Sequence, residues 1–547
     1  MLTRRQFHMR LMAGIAATAL PRPGLADADP SPDLWLNRLT FGANADARAA
    51  LAALGLHGWL DDQLARPPSD PTLDARLAQA RLRISYDAGS DENGYTWQAM
   101  DELRPLDALH AAPESQLFRI DWHQGMEYSE RARPGYEVIA ASLIRAVHAP
   151  AQLREVMAQF WHEHFSVNAQ KAEYTAAFFP YHDAIMRRHA LGNFRTLLGE
   201  VARSPSMLYY LNNADNRASP ANENYARELL ELHTLGAGNY LNDTVANWHD
   251  VPGASQGLAL GYLDQDVYEV ARAFTGWSVG DGRWTSDSST APKTGRFHYI
   301  EAWHDPYQKR VLGVEFAPNR APMADGEQVM DILAGHPGTA RFVCTKIARR
   351  LLTDAPGAGL VDDLAAVFLA ARDAPDQIAQ VIRALVTHPD FAATPPGKIR
   401  RPFEFLAALY RATGAEITGS DNRFQGPLMR AGWRQHECGP PSGHPDVLEK
   451  WTGASSLNRL VETALYANDA EYGVATVDLG ALASADETIG AFLNRWAARV
   501  GPAPDGLAAA LYVDPGAPAR DMTEADRKGA AGAAIAFAAL TPQFLLR

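Results

Sequence analysis

The feature that most constrains the fold is a stretch with helix signals at both ends, residues 222–236. Asn222 stands where an N-terminal cap is expected, and Gly236 stands where a left-handed C-terminal stop is expected. Between them, Leu229 and Leu232 fall on one stripe at helical spacing, with further apolar residues beside it. The pattern predicts a helix that is buried over a wide face.

The same stretch carries more charge than packing requires. Glu223, Arg227 and Glu231 follow one another at i, i+4 and i+8, a spacing that allows pairing along the helix. Glu228 and His233 add two more ionisable groups, and His233 lies on the apolar side. These groups either form a satisfied buried network or line a cleft, and the sequence leaves both open.

Helical periodicity also dominates the rest of the chain. Two long irregular insertions interrupt it, near residues 84–135 and 278–322, and the second contains turn residues and two short strand-like runs. No repeat of fixed period is present, which argues against a solenoid. We predict a mostly α fold, in which residues 29–547 form a single multi-helical globular domain with at most a small β-hairpin.

The N-terminus has the pattern of an export signal. Residues 3–7 read Thr-Arg-Arg-Gln-Phe, which resembles the twin-arginine signal, and an Ala-rich apolar run and a small-residue cleavage site follow. An ordinary secretory signal is the alternative. We predict a signal peptide over residues 1–28 and a periplasmic or secreted mature chain, with no membrane span because no run reaches about 18 apolar residues.

Charge and cysteine content exclude several classes of function. The net charge of −13 argues against nucleic acid as a partner, because phosphate contacts require a basic surface. Two cysteines, Cys344 and Cys438, are too few for a four-thiolate zinc or iron–sulfur site. Export would permit a disulfide between them, but their spacing alone does not show that they meet.

Several long motifs occur in a fixed order along the chain. They are residues 36–42 (Leu-Asn-Arg-Leu-Thr-Phe-Gly), 160–165 (Phe-Trp-His-Glu-His-Phe), 222–236, 270–277 (Val-Ala-Arg-Ala-Phe-Thr-Gly-Trp), 336–342 (His-Pro-Gly-Thr-Ala-Arg-Phe) and 398–402 (Lys-Ile-Arg-Arg-Pro). In these motifs, from about residue 34 to the C-terminus, the chain resembles a large bacterial family catalogued as domain of unknown function 1800. The resemblance implies a shared fold and no settled reaction. It also implies a sulfatase-like neighbour protein as a partner, since members are commonly encoded beside such a family.

Three histidines are candidate metal ligands. His162 and His164 are two positions apart, so on a regular helix they diverge by about 200° and cannot both bind one metal ion. An aromatic-flanked core histidine is the structural alternative for each. His304 lies in the second insertion, in a pair with Asp305 that matches the family motif, although Pro306 replaces the family's usual glycine.

The candidate catalytic residues are the charged groups of the 222–236 stretch and one aspartate of the second insertion. They are Glu223, Arg227, Glu228, His233 and Asp305. A late loop over residues 426–445, dense in Gly and Pro, offers His436, Cys438 and His444 as additional groups, or else packs as an ordinary surface loop.

Two classes of function follow from these residues. In the first, the protein is a cell-envelope hydrolase that acts on a polar polymer through a cleft of His, Glu and Asp side chains, by acid–base chemistry or with a divalent metal as cofactor. In the alternative, it is a non-catalytic binding or assembly partner in the envelope, and its charged helix is a structural clamp.

Overall fold

The protein is described by a computed structural model that covers residues 32–286, 288–417, 424–467 and 486–547. The predicted signal peptide lies outside the described residues. The α-helices are, in chain order, α1 (Pro32–Leu39), α2 (Ala45–Ala65), α3 (Pro71–Gln79), α4 (Tyr128–Arg131), α5 (Arg133–His148), α6 (Gln152–Phe165), α7 (Glu173–Ala177), α8 (Phe179–His189), α9 (Phe194–Ala202), α10 (Pro205–Tyr210), α11 (Asn224–Glu228), α12 (Asp264–Ala273), α13 (Ala324–Ala334), α14 (Pro337–Leu351), α15 (Ala358–Ala370), α16 (Gln377–Thr387), α17 (Pro389–Ala393), α18 (Pro402–Thr413), α19 (Gln425–Arg430), α20 (Ala454–Tyr466), α21 (Ile489–Ala497), α22 (Leu507–Ala510), α23 (Glu524–Ala539) and α24 (Pro542–Leu545). The prediction of a mostly α fold is confirmed.

The strands of the described residues form small two-stranded antiparallel sheets inside the two insertions. They are β1 (Arg81–Tyr86), β2 (Gly89–Ser90), β3 (Thr96–Trp97), β4 (Met100–Pro105), β5 (Trp277–Asp281), β6 (Trp284–Ser286), β7 (Ser289–Thr290), β8 (Lys293–Tyr299), β9 (Lys309–Val311) and β10 (Val314–Phe316). The pairs are β1 with β4, β2 with β3, β5 with β8, β6 with β7, and β9 with β10. The hairpin expected in the second insertion is therefore present, and the first insertion contains strands as well.

Helix α6 lies at the centre of the molecule. Each of its residues is buried except Glu163, which is only partly covered. Aromatic packing fixes this helix: Trp161 stacks with Phe165 and donates a hydrogen bond from Nε1 to the carbonyl oxygen of Ala190 at 2.9 Å. An indole that is both packed and hydrogen-bonded has one orientation, so the position of Glu163 is set by the core.

The 222–236 stretch departs from the regular helix that its pattern predicts. It begins as α11 and continues as a π-helix over Leu229–Thr234, in which the amide of Leu235 donates to the carbonyl oxygen of Leu230 at 2.9 Å. The Thr234 hydroxyl donates to the Leu229 carbonyl oxygen at 2.6 Å and stabilises the wide turn. π-Turns are rare and are often found at functional sites.

Gly236 ends this stretch at the position that the sequence indicates. Its φ is +87°, and a Cβ atom there would come within 2.7 Å of the Phe342 ring on α14. Both constraints require glycine, because another residue would be strained and would collide with the ring. The end of the π-helix is thus packed closely against α14.

A buried ion network joins the C-terminus to the helical core. The carboxylate of Glu404 on α18 pairs with Arg350, with Arg401 at 2.7 Å and with Arg547 at 3.5 Å. All four side chains are nearly inaccessible to solvent. Such a network stabilises the fold only while it is complete, because each lost partner leaves an uncompensated buried charge. In the described part of the chain, no helix is both long enough and apolar enough to span a membrane.

Candidate active site

Helix α6 presents Glu163 to the loop that follows α19. The Oε2 atom of Glu163 accepts a hydrogen bond from the backbone amide of His444 at 2.8 Å and lies 3.0 Å from the imidazole Nδ1 of the same residue. Trp433 stacks on the other side of this ring, with centroids 4.0 Å apart and planes inclined by 16°. The carboxylate and the indole together hold the His444 ring in one orientation.

A glycine allows the loop to approach α6 this closely. Gly443 has a φ of +77°, and a Cβ atom there would lie 2.3 Å from the carbonyl oxygen of Glu163. No other residue fits such a contact without displacing the backbone. Gly443 therefore places His444 against Glu163.

The same loop carries a thiol close to the imidazole. Cys438 acts on the charge of His444 and raises its pKa. Its position is fixed from the α6 side, because Asn168 donates from Nδ2 to the Cys438 carbonyl oxygen at 3.2 Å and the Ala169 amide donates to that of His436 at 2.7 Å. Cys438 is partly exposed and Cys344 is buried, and both are free thiols, so the disulfide that export would permit is not formed.

The charges of these three groups favour an ionised site. Burial alone would lower the pKa of His444, but Glu163 and then Cys438 outweigh it and raise that pKa to about 9. Burial would likewise raise the pKa of Glu163, yet His444 holds it below its usual value. At neutral pH the ring is therefore an imidazolium, paired with the Glu163 carboxylate.

Glu163 contacts His444, and Cys438 lies in the same loop, so this part of the chain offers a carboxylate, an imidazole and a thiol. The Nε2 atom of His444 also lies 3.3 Å from the backbone nitrogen of Arg434, at the long end of hydrogen-bond distances. This contact is long, so the orientation of the ring depends mainly on Glu163 and Trp433.

Comparison with known protein families gives one match that covers nearly the whole chain. The model of a family described as "Protein of unknown function (DUF1800)" matches residues 34–546. The chain belongs to this family. Neither the curated proteins nor the solved structures gave a match. Membership in the DUF1800 family confirms the resemblance seen in the motifs, and it assigns no reaction.

Glu228, one of the predicted catalytic residues of this DUF1800 member, acts on a phenol that Cys438 also affects. The pKa of Tyr210 is raised to about 12, first by burial and then by the charges of Cys438 and Glu228. Glu228 is itself half-buried, and burial and then Glu231 raise its pKa above the ordinary value. The charges of Glu228 and Cys438 therefore act on the same phenol.

Two further predicted residues form a pair at the surface. Arg227 donates from Nη2 to Glu223 at 3.2 Å and from Nη1 to Asp264 at the same distance. The side chains of Arg227 and Glu223 remain 39% and 43% exposed. The i, i+4 pairing expected from the sequence is present, but it faces solvent and not the thiol.

His162 belongs to a buried network of its own. Its Nε2 atom lies 3.0 Å from an oxygen of Asp183, which also pairs with Arg145 and Arg187. The ring packs 4.3 Å from that of His436. His162 is therefore a buried histidine beside aromatic rings, and its hydrogen bond is directed to a carboxylate.

The second insertion holds its two predicted residues in an ion network. Asp305 accepts hydrogen bonds from Nε and Nη2 of Arg272, both at 2.9 Å. The Nε2 atom of His304 is 3.3 Å from Asp325, and its Nδ1 is 3.0 Å from the Thr275 carbonyl oxygen. These contacts tie the insertion to α12 and α13.

The three histidines predicted as metal ligands therefore lie in three different environments. His162 contacts Asp183, His304 contacts Asp325, and His164 lies 3.0 Å from the carbonyl oxygen of His233. Within residues 32–286, 288–417, 424–467 and 486–547, no three His, Cys, Asp or Glu side chains are grouped so that they could hold a metal ion. The structure does not bring the predicted ligands together.

Proposed function

We propose that this DUF1800 member is an exported hydrolase that uses Cys438 as a nucleophile on ester or amide carbonyl groups. The observation that supports the proposal is a partly exposed thiol in the same loop as an imidazole that is held by a carboxylate, with the thiol close enough to raise the pKa of that imidazole. A thiol–imidazole–carboxylate arrangement of this kind is the usual means of activating a cysteine nucleophile.

The reaction proceeds in two steps. The Cys438 thiolate attacks the carbonyl carbon, and the leaving alcohol or amine takes a proton from the His444 imidazolium, which leaves a thioester on Cys438. The neutral His444 then removes a proton from water, which attacks the thioester, releases the acid and restores the thiol. Glu163 keeps the ring oriented and stabilises its positive charge in both steps.

The export signal pattern supports an extracytoplasmic substrate. We propose a polar polymer of the cell envelope with ester or amide linkages, in keeping with the polymer chemistry that the sulfatase-like neighbour family suggests. A partly exposed nucleophile in a loop suits a large substrate, because a polymer segment cannot enter a closed cavity.

The test uses the mature chain, residues 29–547, with p-nitrophenyl esters as simple carbonyl substrates. We expect release of nitrophenol and an acyl adduct on Cys438, detected by mass spectrometry of the quenched protein. Cys438→Ser should lose both signals, and Cys344→Ser should keep both because Cys344 is buried away from the site.

Two results would overturn the proposal. Turnover that persists in Cys438→Ser would assign the reaction to other residues. No acylation of Cys438 by any ester, in a protein whose cysteine variants fold normally, would favour the non-catalytic binding partner instead.

A further inference from the structure

A second group of polar atoms, between the π-helix, α6 and α14, lacks partners. Both ring nitrogens of His233 and the Nδ1 atom of His164 are buried and make no hydrogen bond of normal geometry with the described residues. The backbone of Phe165 raises the pKa of His233, but burial and then Lys346 outweigh it. Buried polar atoms are almost always paired, so orphaned atoms at one place indicate a missing ligand or water.

A lysine without an ion pair lies beside the same aromatic cluster. The Nζ atom of Lys346 on α14 lies 5.4 Å from the centroid of the Phe342 ring, and that ring lies 6.2 Å from the ring of His164. The charge of Lys346 lowers the pKa of both His164 and His233. Among the described residues, no carboxylate forms an ion pair or hydrogen bond with this ammonium group. Its side chain is only partly exposed, so water compensates its charge incompletely.

The surrounding acids do not neutralise this lysine, because each is already paired. Glu163 is bonded to His444, and Asp446 lies 2.7 Å from Lys398. Arg349 adds a further positive charge nearby and lowers the pKa of Lys346, whereas the two carboxylates raise it. Among the described residues, both carboxylates make their close contacts with groups other than Lys346.

We propose that Lys346 and His233 bind a small oxyanion, a carboxylate or a phosphate, at the π-helix. The ammonium group supplies three donors and the neutral His233 ring supplies one. His164 donates from Nε2 to the His233 carbonyl oxygen, which leaves its Nδ1 free to take up a proton when the anion binds. An ammonium group attracts an anion and repels a metal ion, so the orphaned nitrogens are suited to an anion.

The affinity for this anion depends on pH in a definite direction. Burial lowers the pKa of Lys346 to about 8. It lowers the pKa of His233 to about 3 and that of His164 well below its usual value, and the charge of Lys346 acts in the same direction on both. Lys346 is charged below pH 8 and becomes neutral as the pH rises through 8, so the anion should bind at pH 6 and be released at pH 9.

The experiment measures the melting temperature of the full mature chain against increasing inorganic phosphate or acetate, at pH 6 and at pH 9. We expect a saturable increase at pH 6 that is absent at pH 9 and absent in Lys346→Met. Without added anion, Lys346→Met should melt at the wild-type temperature or above it, because the substitution removes an unpaired charge. Lys346→Arg should keep the response.

Lys450→Met is the matched control, since Lys450 is exposed and its loss should leave the anion response unchanged. Equal responses in wild type, Lys346→Met and Lys450→Met would show general salt stabilisation and overturn the proposal. No response in wild type would mean that water fills the site, and would also overturn it. Phosphate and acetate acting alike would indicate a general oxyanion site, whereas a response to acetate alone would indicate a carboxylate-bearing ligand. None of these outcomes depends on the reaction proposed for Cys438.

Discussion

Glu163 accepts hydrogen bonds from both the backbone amide and the ring of His444, although 281 positions separate the two residues. Glu163 is the only residue of α6 that is not buried. His444 follows Gly443, which allows the loop backbone to contact the backbone of Glu163. The core helix and the late loop that carries Cys438 therefore meet at this pair.

Replacement of Glu163 by Gln should change the pH dependence of the reaction. His444 acts as an acid only while protonated, and Glu163 is the main group that raises its pKa to about 9. In Glu163→Gln the loss of activity at alkaline pH should move from about 9 toward the ordinary histidine value of about 6.5. A pH profile of ester hydrolysis checks this, and an unchanged profile would show that Glu163 does not act on His444.

The same pair should affect stability with pH in a definite direction. His444 has a raised pKa in the folded state, so its contribution to stability is complete below about 6.5 and is lost as the pH rises through about 9. Urea unfolding of wild type and His444→Gln at pH 6 and pH 10 should show a larger difference in unfolding free energy at pH 6. A larger difference at pH 10 would contradict the ion pair.

Gly443→Ala should damage the site, because its Cβ would overlap the Glu163 carbonyl oxygen at 2.3 Å and would be strained at a φ of +77°. We expect a loss of about 1–3 kcal/mol in unfolding free energy, together with slower labelling of Cys438. Gly439→Ala is the control, since no atom lies within 4 Å of a Cβ there and its φ is not in the left-handed range. Equal effects in the two variants would refute the close approach.

Glu404→Gln should destabilise the whole fold. The substitution leaves Arg350 and Arg401 buried without their shared carboxylate, and breaking a buried pair costs about 3–5 kcal/mol. Chemical denaturation should show the loss as a lower midpoint. Glu524→Gln removes an exposed carboxylate paired with Lys528 and should leave the midpoint unchanged.

The surface pair of the 222–236 stretch should be dispensable. Glu223 and Arg227 are each about two-fifths exposed, and such pairs contribute at most about 1 kcal/mol. The double substitution Glu223→Gln and Arg227→Gln should keep the hydrolysis of p-nitrophenyl esters. Loss of activity with normal folding would restore these residues to the catalytic site that the sequence predicts.

The helices could be predicted because their signals are local. Apolar residues at helical spacing mark segments such as α5 and α18. The alternation in Arg81–Tyr86, with Leu82 and Ile84 buried, was an equally local strand signal inside a stretch expected to be irregular. The π-turn was not predictable, because it depends on the packing of Gly236 against Phe342.

The site was harder to predict because its parts are distant in sequence. Cys438 and His444 lie in one loop that the sequence marks as a candidate. Their partner carboxylate, Glu163, lies in the 160–165 motif, in which only the two histidines are predicted as site residues. His162 turned out to face Asp183, and His304 to face Asp325. Tertiary packing decides which neighbour a polar side chain on a buried helix contacts. The periodicity of the apolar residues in the sequence does not show this.

The role of Cys438 is tested most directly by its rate of alkylation with iodoacetamide at pH 7, followed by mass spectrometry in wild type and His444→Gln. Cys344 is the internal reference within the same molecule, because burial raises its pKa and shields it. We predict that Cys438 reacts while Cys344 does not, and that the rate at Cys438 falls about tenfold or more in His444→Gln. Equal rates at Cys438 in the two proteins, or no reaction at Cys438 in the folded wild type, would contradict an activated thiol.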